Sequence, residues 1–116
     1  MQVIINSDHN IEVTEATETE MSSIVGAALA RFESRLTRVE VHLRDESAGR
    51  STGDDIECSV EARQEGQQPV SAAGAAATPE DALRAAVQKM VHRLETVFGK
   101  LDHRKGSTPM GGESTA

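Results

Sequence analysis

"RVEVHLRD", residues 38–45, is the stretch that decides the fold. Val39, Val41 and Leu43 alternate with Arg38, Glu40, His42 and Arg44. Successive side chains on a strand point to opposite faces, so this alternation specifies a half-buried antiparallel strand, dry on one side and wet on the other. "IECSVEAR", residues 56–63, repeats the pattern with Ile56, Cys58, Val60 and Ala62 inward. The polar turn "ESAGRSTGDD" separates the two runs. A second turn, "QEGQQ", leads into "PVSAAGAAA", a weaker strand of small residues that lets a neighbour pack closely. Pro69 at its start is tolerated at a sheet edge.

Outward from these strands lie two helices and a first strand. "QVIIN", residues 2–6, is a β-rich run closed by the polar "SDHN". "VTEATETEMSSIVGAALARFESRL", residues 13–36, has Met21, Val25, Ala28, Phe32 and Leu36 at helical spacing. Thr14 caps its start, Thr17 and Glu20 have capping-box spacing, and Glu12, Glu15, Glu18 and Glu20 favour the positive end of the dipole. Gly26 weakens this helix by about 1 kcal/mol relative to Ala.

"TPEDALRAAVQKMVHRLETVFGKLDHR" begins at residue 78 and carries the strongest helix signals in the chain. Thr78 is the N-cap, Pro79 takes the first helical position, and Glu80 and Asp81 complement the dipole. Leu83, Val87, Met90, Leu94, Val97 and Leu101 form its buried stripe. The order is β-α-β-β-β-α, an α+β fold. Two amphipathic helices suffice to cover one face of a four-stranded sheet, leaving the other face exposed and charged. Residues 1–105 make one domain, and "GSTPMGGESTA", residues 106–116, reads as a flexible tail.

Composition narrows the function. The 116 residues carry a formal net charge of -7 and only 2% aromatic residues, with no Trp or Tyr. That argues against single-stranded nucleic acid held by base stacking. A single cysteine excludes an internal disulfide and a cysteine-rich zinc site. The "MQVIINSDHN" start has no basic-then-apolar leader, and no apolar run is long enough to span a membrane, so the expected location is the cytoplasm. Cys58 faces inward and reads as a core residue. His92 and His103 are separated by roughly 16 Å along a helix, too far to share a metal. Asp54, Asp55 and Glu57 lack calcium-loop spacing. No catalytic constellation, cofactor motif, metal site or small-molecule substrate site is present.

The charge is uneven. Residues 1–77 hold six Lys/Arg against fourteen Asp/Glu, whereas residues 78–105 hold six against four. At about 100° per residue, Lys89, Arg93, Lys100 and Arg104 fall on one flank of the last helix, and Glu95 and Asp102 on the other. Segregated cations along several turns can follow a phosphate backbone. A solvated helix end, basic for dipole reasons, is the plainer alternative.

The start "MQVIINSDHNIEVTEA", the pair "RVEVHLRDES" and "IECSVEAR", and the run "GQQPVSAAGAAATPEDALRAAVQKMVHRLETVFGKL" resemble the ribosome hibernation-promoting factor and ribosome-associated inhibitor family. That family is also called the sigma-54 modulation or ribosomal subunit interface family. The resemblance covers roughly residues 1–105 and implies the same β-α-β-β-β-α fold. It implies a non-enzymatic protein that binds the small ribosomal subunit through its ribosomal RNA and silences translation under stress. Carried onto this chain, Lys89, Arg93, Lys100, Arg104 and Lys105 would contact phosphates, with Arg31, Arg35 and Arg38 as secondary contacts. The acidic first half of the first helix departs from the more basic family pattern. The short tail does not carry the C-terminal domain of long members. Two rivals remain: a protein-interaction module using a sheet face rich in Glu40, Glu57 and Glu61, and a generic double-stranded RNA module. The latter is disfavoured by the acidic "TPEDAL" at the start of the last helix.

Overall fold

The computed structural model describes residues 1–8, 11–46 and 55–105, with side chains up to residue 100. The expected tail at 106–116, most of the turn at 46–55, Asp54, and the side chains of Leu101, Asp102, His103, Arg104 and Lys105 lie outside these described residues. The elements run β1 (Gln2–Ser7), α1 (Glu15–Ala28), a 3-10 segment (Ala30–Arg35), β2 (Arg38–Asp45), β3 (Ile56–Arg63), β4 (Val70–Ala76) and α2 (Pro79–Lys105). The strands form one sheet in the order β1-β2-β3-β4. β1 pairs parallel with β2, a pairing that requires a crossover, and α1 supplies it. The β2–β3 and β3–β4 pairs are antiparallel hairpin neighbours.

Register carries the alternation across the sheet. Ile5 lies opposite Val41, Val41 opposite Val60, and Val60 opposite Ala72. One apolar face therefore spans all four strands, and both helices cover it: α1 over β1, α2 over β3 and β4, each touching the other. Met21, Val25 and Leu29 meet Leu83, Met90 and Leu94 above Val39, Val41, Leu43 and Val60, all of them buried. Each such side chain contributes about 1.5–3 kcal/mol relative to exposure.

The small residues of β4 have a direct cause. A Cβ on Gly74 would stand 2.7 Å from both the Ala85 Cβ and the Ala86 backbone nitrogen. Helix and strand approach too closely there for any side chain. The hairpin between β3 and β4 turns at Gly66, whose φ of +75° suits glycine. The Gln67 N–H donates to the Gln64 carbonyl across it at 3.3 Å.

The first helix differs from the expected continuous run over 13–36. It ends at Ala28, and the chain continues as a 3-10 segment from Ala30. The tighter winding brings side chains three apart onto one side. Leu29 and Phe32 are accordingly both buried, while Ala28, expected in the stripe, is only partly so. Thr14 is the cap, accepting the Thr17 N–H at 3.1 Å, so Thr17 stands inside the helix and does not cap it with Glu20. At α2 the Asp81 N–H reaches the Thr78 hydroxyl at 3.2 Å, as the sequence indicates. Val97 is half-buried there, and Phe98 fills the core position beside it.

Candidate functional site

Leu83, Met90 and Leu94 point α2 into the core, and this fixes what its two flanks meet. One flank turns toward α1. Arg84, Gln88, Val91 and His92 line a groove there with Ile24 and Ala27. Further along, Glu95 binds Arg31 of the 3-10 segment, and the His92 Nδ1 lies 3.6 Å from the same carboxylate. The Phe32 and Phe98 rings pack at 5.4 Å between centroids. The Arg31 guanidinium lies 4.9 Å from the Phe32 centroid, and that of Arg35 lies 4.1 Å from the Phe98 centroid. Arg31 and Arg35 thus clamp the 3-10 segment to α2 through charge and ring faces.

The other flank of α2 turns toward β4 and beyond it to solvent. Arg93, Thr96 and Val97 stand beside Val70, the first residue of β4. Lys89, Arg93 and Lys100 follow one another along this flank, all exposed. None of the three has a carboxylate or ring partner among the described residues. Backbone geometry continues the helix through Arg104 and Lys105.

The outer face of the sheet is charged in a different way. Arg38 reaches Glu40 at 2.9 Å, and Arg63 reaches Glu61 at 2.9 Å and Glu40 at 3.7 Å. His42 Nε2 lies 3.4 Å from Glu40. Arg44 binds Glu57 and lies 3.3 Å from Glu46, and these carboxylates raise its pKa above the ordinary guanidinium value. Arg84, at the start of α2, sits 3.7 Å from Asp81. Among the described lysine and arginine side chains, only those on the β4 flank of α2 are left without a carboxylate or ring partner.

The expected site residues therefore separate into two groups. Lys89, Arg93 and Lys100 form one open row. Arg31, Arg35 and Arg38 are engaged inside the protein, away from that row. Sequence reasoning missed the Arg31–Glu95 bond and the ring pair. The one available signal was that Phe32 and Phe98 are the chain's two aromatics.

Cys58 is fully buried opposite Gly74, and burial pushes its thiol up to about 12. Among the described residues no cluster of His, Cys, Asp and Glu could hold a metal ion, and no helix is long and apolar enough to cross a membrane.

The fold has close counterparts. The Thermus thermophilus Protein Y N-terminal domain superposes with a TM-score of 0.65 at 16% identity, over 84% of this chain and 99% of that one. A ribosomal subunit interface protein from Coxiella burnetii superposes with a TM-score of 0.65 at 8% identity, over 85% of this chain and 99% of that one. At such identities the likeness is one of fold. No curated protein matches the sequence. The family model described as "Sigma 54 modulation protein / S30EA ribosomal protein" matches residues 4–102 of the 116. The chain belongs to this family of non-enzymatic, ribosome-associated hibernation factors, which bind ribosomes and silence translation.

Proposed function

We propose that the protein docks on the small ribosomal subunit through ribosomal RNA, with the β4 flank of α2 as its contact. The observation that carries this reading is the open row of Lys89, Arg93 and Lys100 on a molecule whose other described cations are engaged. An uncompensated cation gains more from a phosphate than one that must first leave a carboxylate. By helical spacing Arg104 falls on the same flank, and Lys105 follows it at the end of α2 as a further cation. Arg31, Arg35 and Arg38 take a lesser part, because each would give up an internal partner to reach a phosphate. Docked in the channel that messenger and transfer RNA use, the domain formed by residues 1–105 would silence translation under stress, in the cytoplasm.

The acidic sheet face offers a weaker alternative. Glu40, Glu57 and Glu61 are all paired with arginines on the same face, so little free negative charge is left to attract a basic partner. The acidic first turns of α1 lie over β1, at the opposite edge of the sheet from β4, so this part of the negative charge does not fall on the proposed contact.

Co-sedimentation with small subunits and whole ribosomes at two salt concentrations tests the reading. Pelleting with the small subunit that weakens steeply with salt is the expected result. A protein that stays in the supernatant at low salt would return the row to a solvated helix flank.

A further inference from the structure

The two open edges of the sheet are not equivalent. β1 forms one edge and β4 the other. On the β1 side, the flank of α1 turned away from α2 carries the exposed Glu15 and Glu18. On the β4 side, the outer flank of α2 carries Lys89, Arg93 and Lys100. β4 itself reads Val-Ser-Ala-Ala-Gly-Ala-Ala, without a charge, a proline or a break in register from Val70 to Ala76. Its outer backbone groups have no hydrogen-bond partner among the described residues. Edge strands are ordinarily blunted by charges, proline, a bulge or a covering loop. β4 has Pro69 immediately before it but none of these from Val70 to Ala76.

We propose that β4 accepts an extended acidic segment of a partner protein as a fifth strand, with the partner's carboxylates under the cationic flank of α2. Two independent features fit one occupant. The free edge of β4 offers alternating N–H and C=O groups, which a strand satisfies and a nucleic acid backbone does not. Carboxylates at every second position of a strand recur about 6.6 Å apart. Lys89 and Arg93, four residues apart on a helix, rise about 6 Å. They also stand at the level of the strand, since Ala85 and Ala86 lie against Gly74 and Arg93 lies beside Val70. The alanines and glycine of β4 leave the approach open. A second copy of the chain is a poor occupant, because antiparallel β4–β4 pairing would bring two cationic flanks face to face. The inference shares its cations with the ribosomal reading but does not depend on it. The two ligands would exclude one another.

The test uses a capped peptide of about ten residues alternating Glu and Thr, and a twin N-methylated at every residue. The twin keeps the charge and removes the backbone donors. Binding is followed by NMR titration and by amide hydrogen exchange in β4. The expected result is that the parent peptide slows exchange at alternate β4 amides, and that the twin and the Lys89→Glu/Arg93→Glu variant each bind at least about tenfold more weakly. Equal binding of parent and twin would overturn the proposal, leaving bare charge attraction. So would shifts confined to α2, or β4 amides already protected by self-association before peptide is added. Ribosome pelleting of the same preparation separates the two readings. Retained pelleting without peptide binding sinks only this one, and peptide binding without pelleting sinks only the other.

Discussion

The outer face of the sheet and the β4 flank of α2 are both rich in charge, yet they are built on opposite plans. On the sheet, cross-strand register sets Arg38 beside Arg63 and Glu40 beside Glu61, so every cation is within reach of a carboxylate one row away. On the helix flank, the neighbours of Lys89 and Arg93 along the surface are alanines, His92, a threonine and the apolar start of β4, with no carboxylate among them. The same residue types thus yield a self-neutralised surface in one place and an open one in the other. Charge count does not distinguish a docking surface from a solvated one. The distance to the nearest opposite charge does.

The widest separation between the two surfaces is expected in ribosome binding. Lys89→Glu with Arg93→Glu should weaken association by about 100-fold or more, while the melting temperature moves little, since both positions are exposed. Arg44→Glu with Arg63→Glu, an equal change in charge on the sheet face, should alter association by less than about threefold. Comparable losses from both pairs in one sedimentation series would break the contrast.

The next effect concerns what holds the helix flank in place. Gly74→Val puts a side chain where α2 already touches β4 and should cost about 1–3 kcal/mol or more in a urea titration. Unchanged stability would mean that α2 is not pinned to the strand there. On the sheet face, Glu40→Gln removes the carboxylate shared by Arg38, His42 and Arg63, at a site only 19% exposed. A loss of about 1–2 kcal/mol is expected, because cations are left facing one another in a partly buried setting. The smallest effect belongs to the exposed clamp. Arg31→Ala should cost no more than about 1 kcal/mol and weaken ribosome pelleting by no more than about threefold. A strong loss of pelleting would move Arg31 from clamp to contact.

Much of this was legible in the sequence, and the limits have physical causes. The alternation in β2 and β3 is a two-residue pattern that survives any tertiary context, and the Thr78-Pro79 start of α2 satisfies local backbone groups. Both were readable because their causes are local. The break after Ala28 was not, since Leu29 leaves the α-helix to bury itself with Phe32 in a core that other elements create. The grouping of Lys89, Arg93 and Lys100 followed from helix geometry alone. Their isolation from carboxylates, and the engagement of Arg31 with Glu95, depend on contacts 64 residues apart in sequence.

Cys58 turns the molecule into its own recorder. It is the chain's single thiol, sealed in the middle of the sheet, and its raised pKa leaves almost no thiolate at neutral pH. An alkylating reagent can reach it only when α2 lifts from the inner face of the sheet, so the labelling rate clocks how often the core opens. Any ligand that binds the closed form slows that clock in proportion to its occupancy. A mass shift at one residue would then report when the protein is held and when it is let go, without an engineered probe.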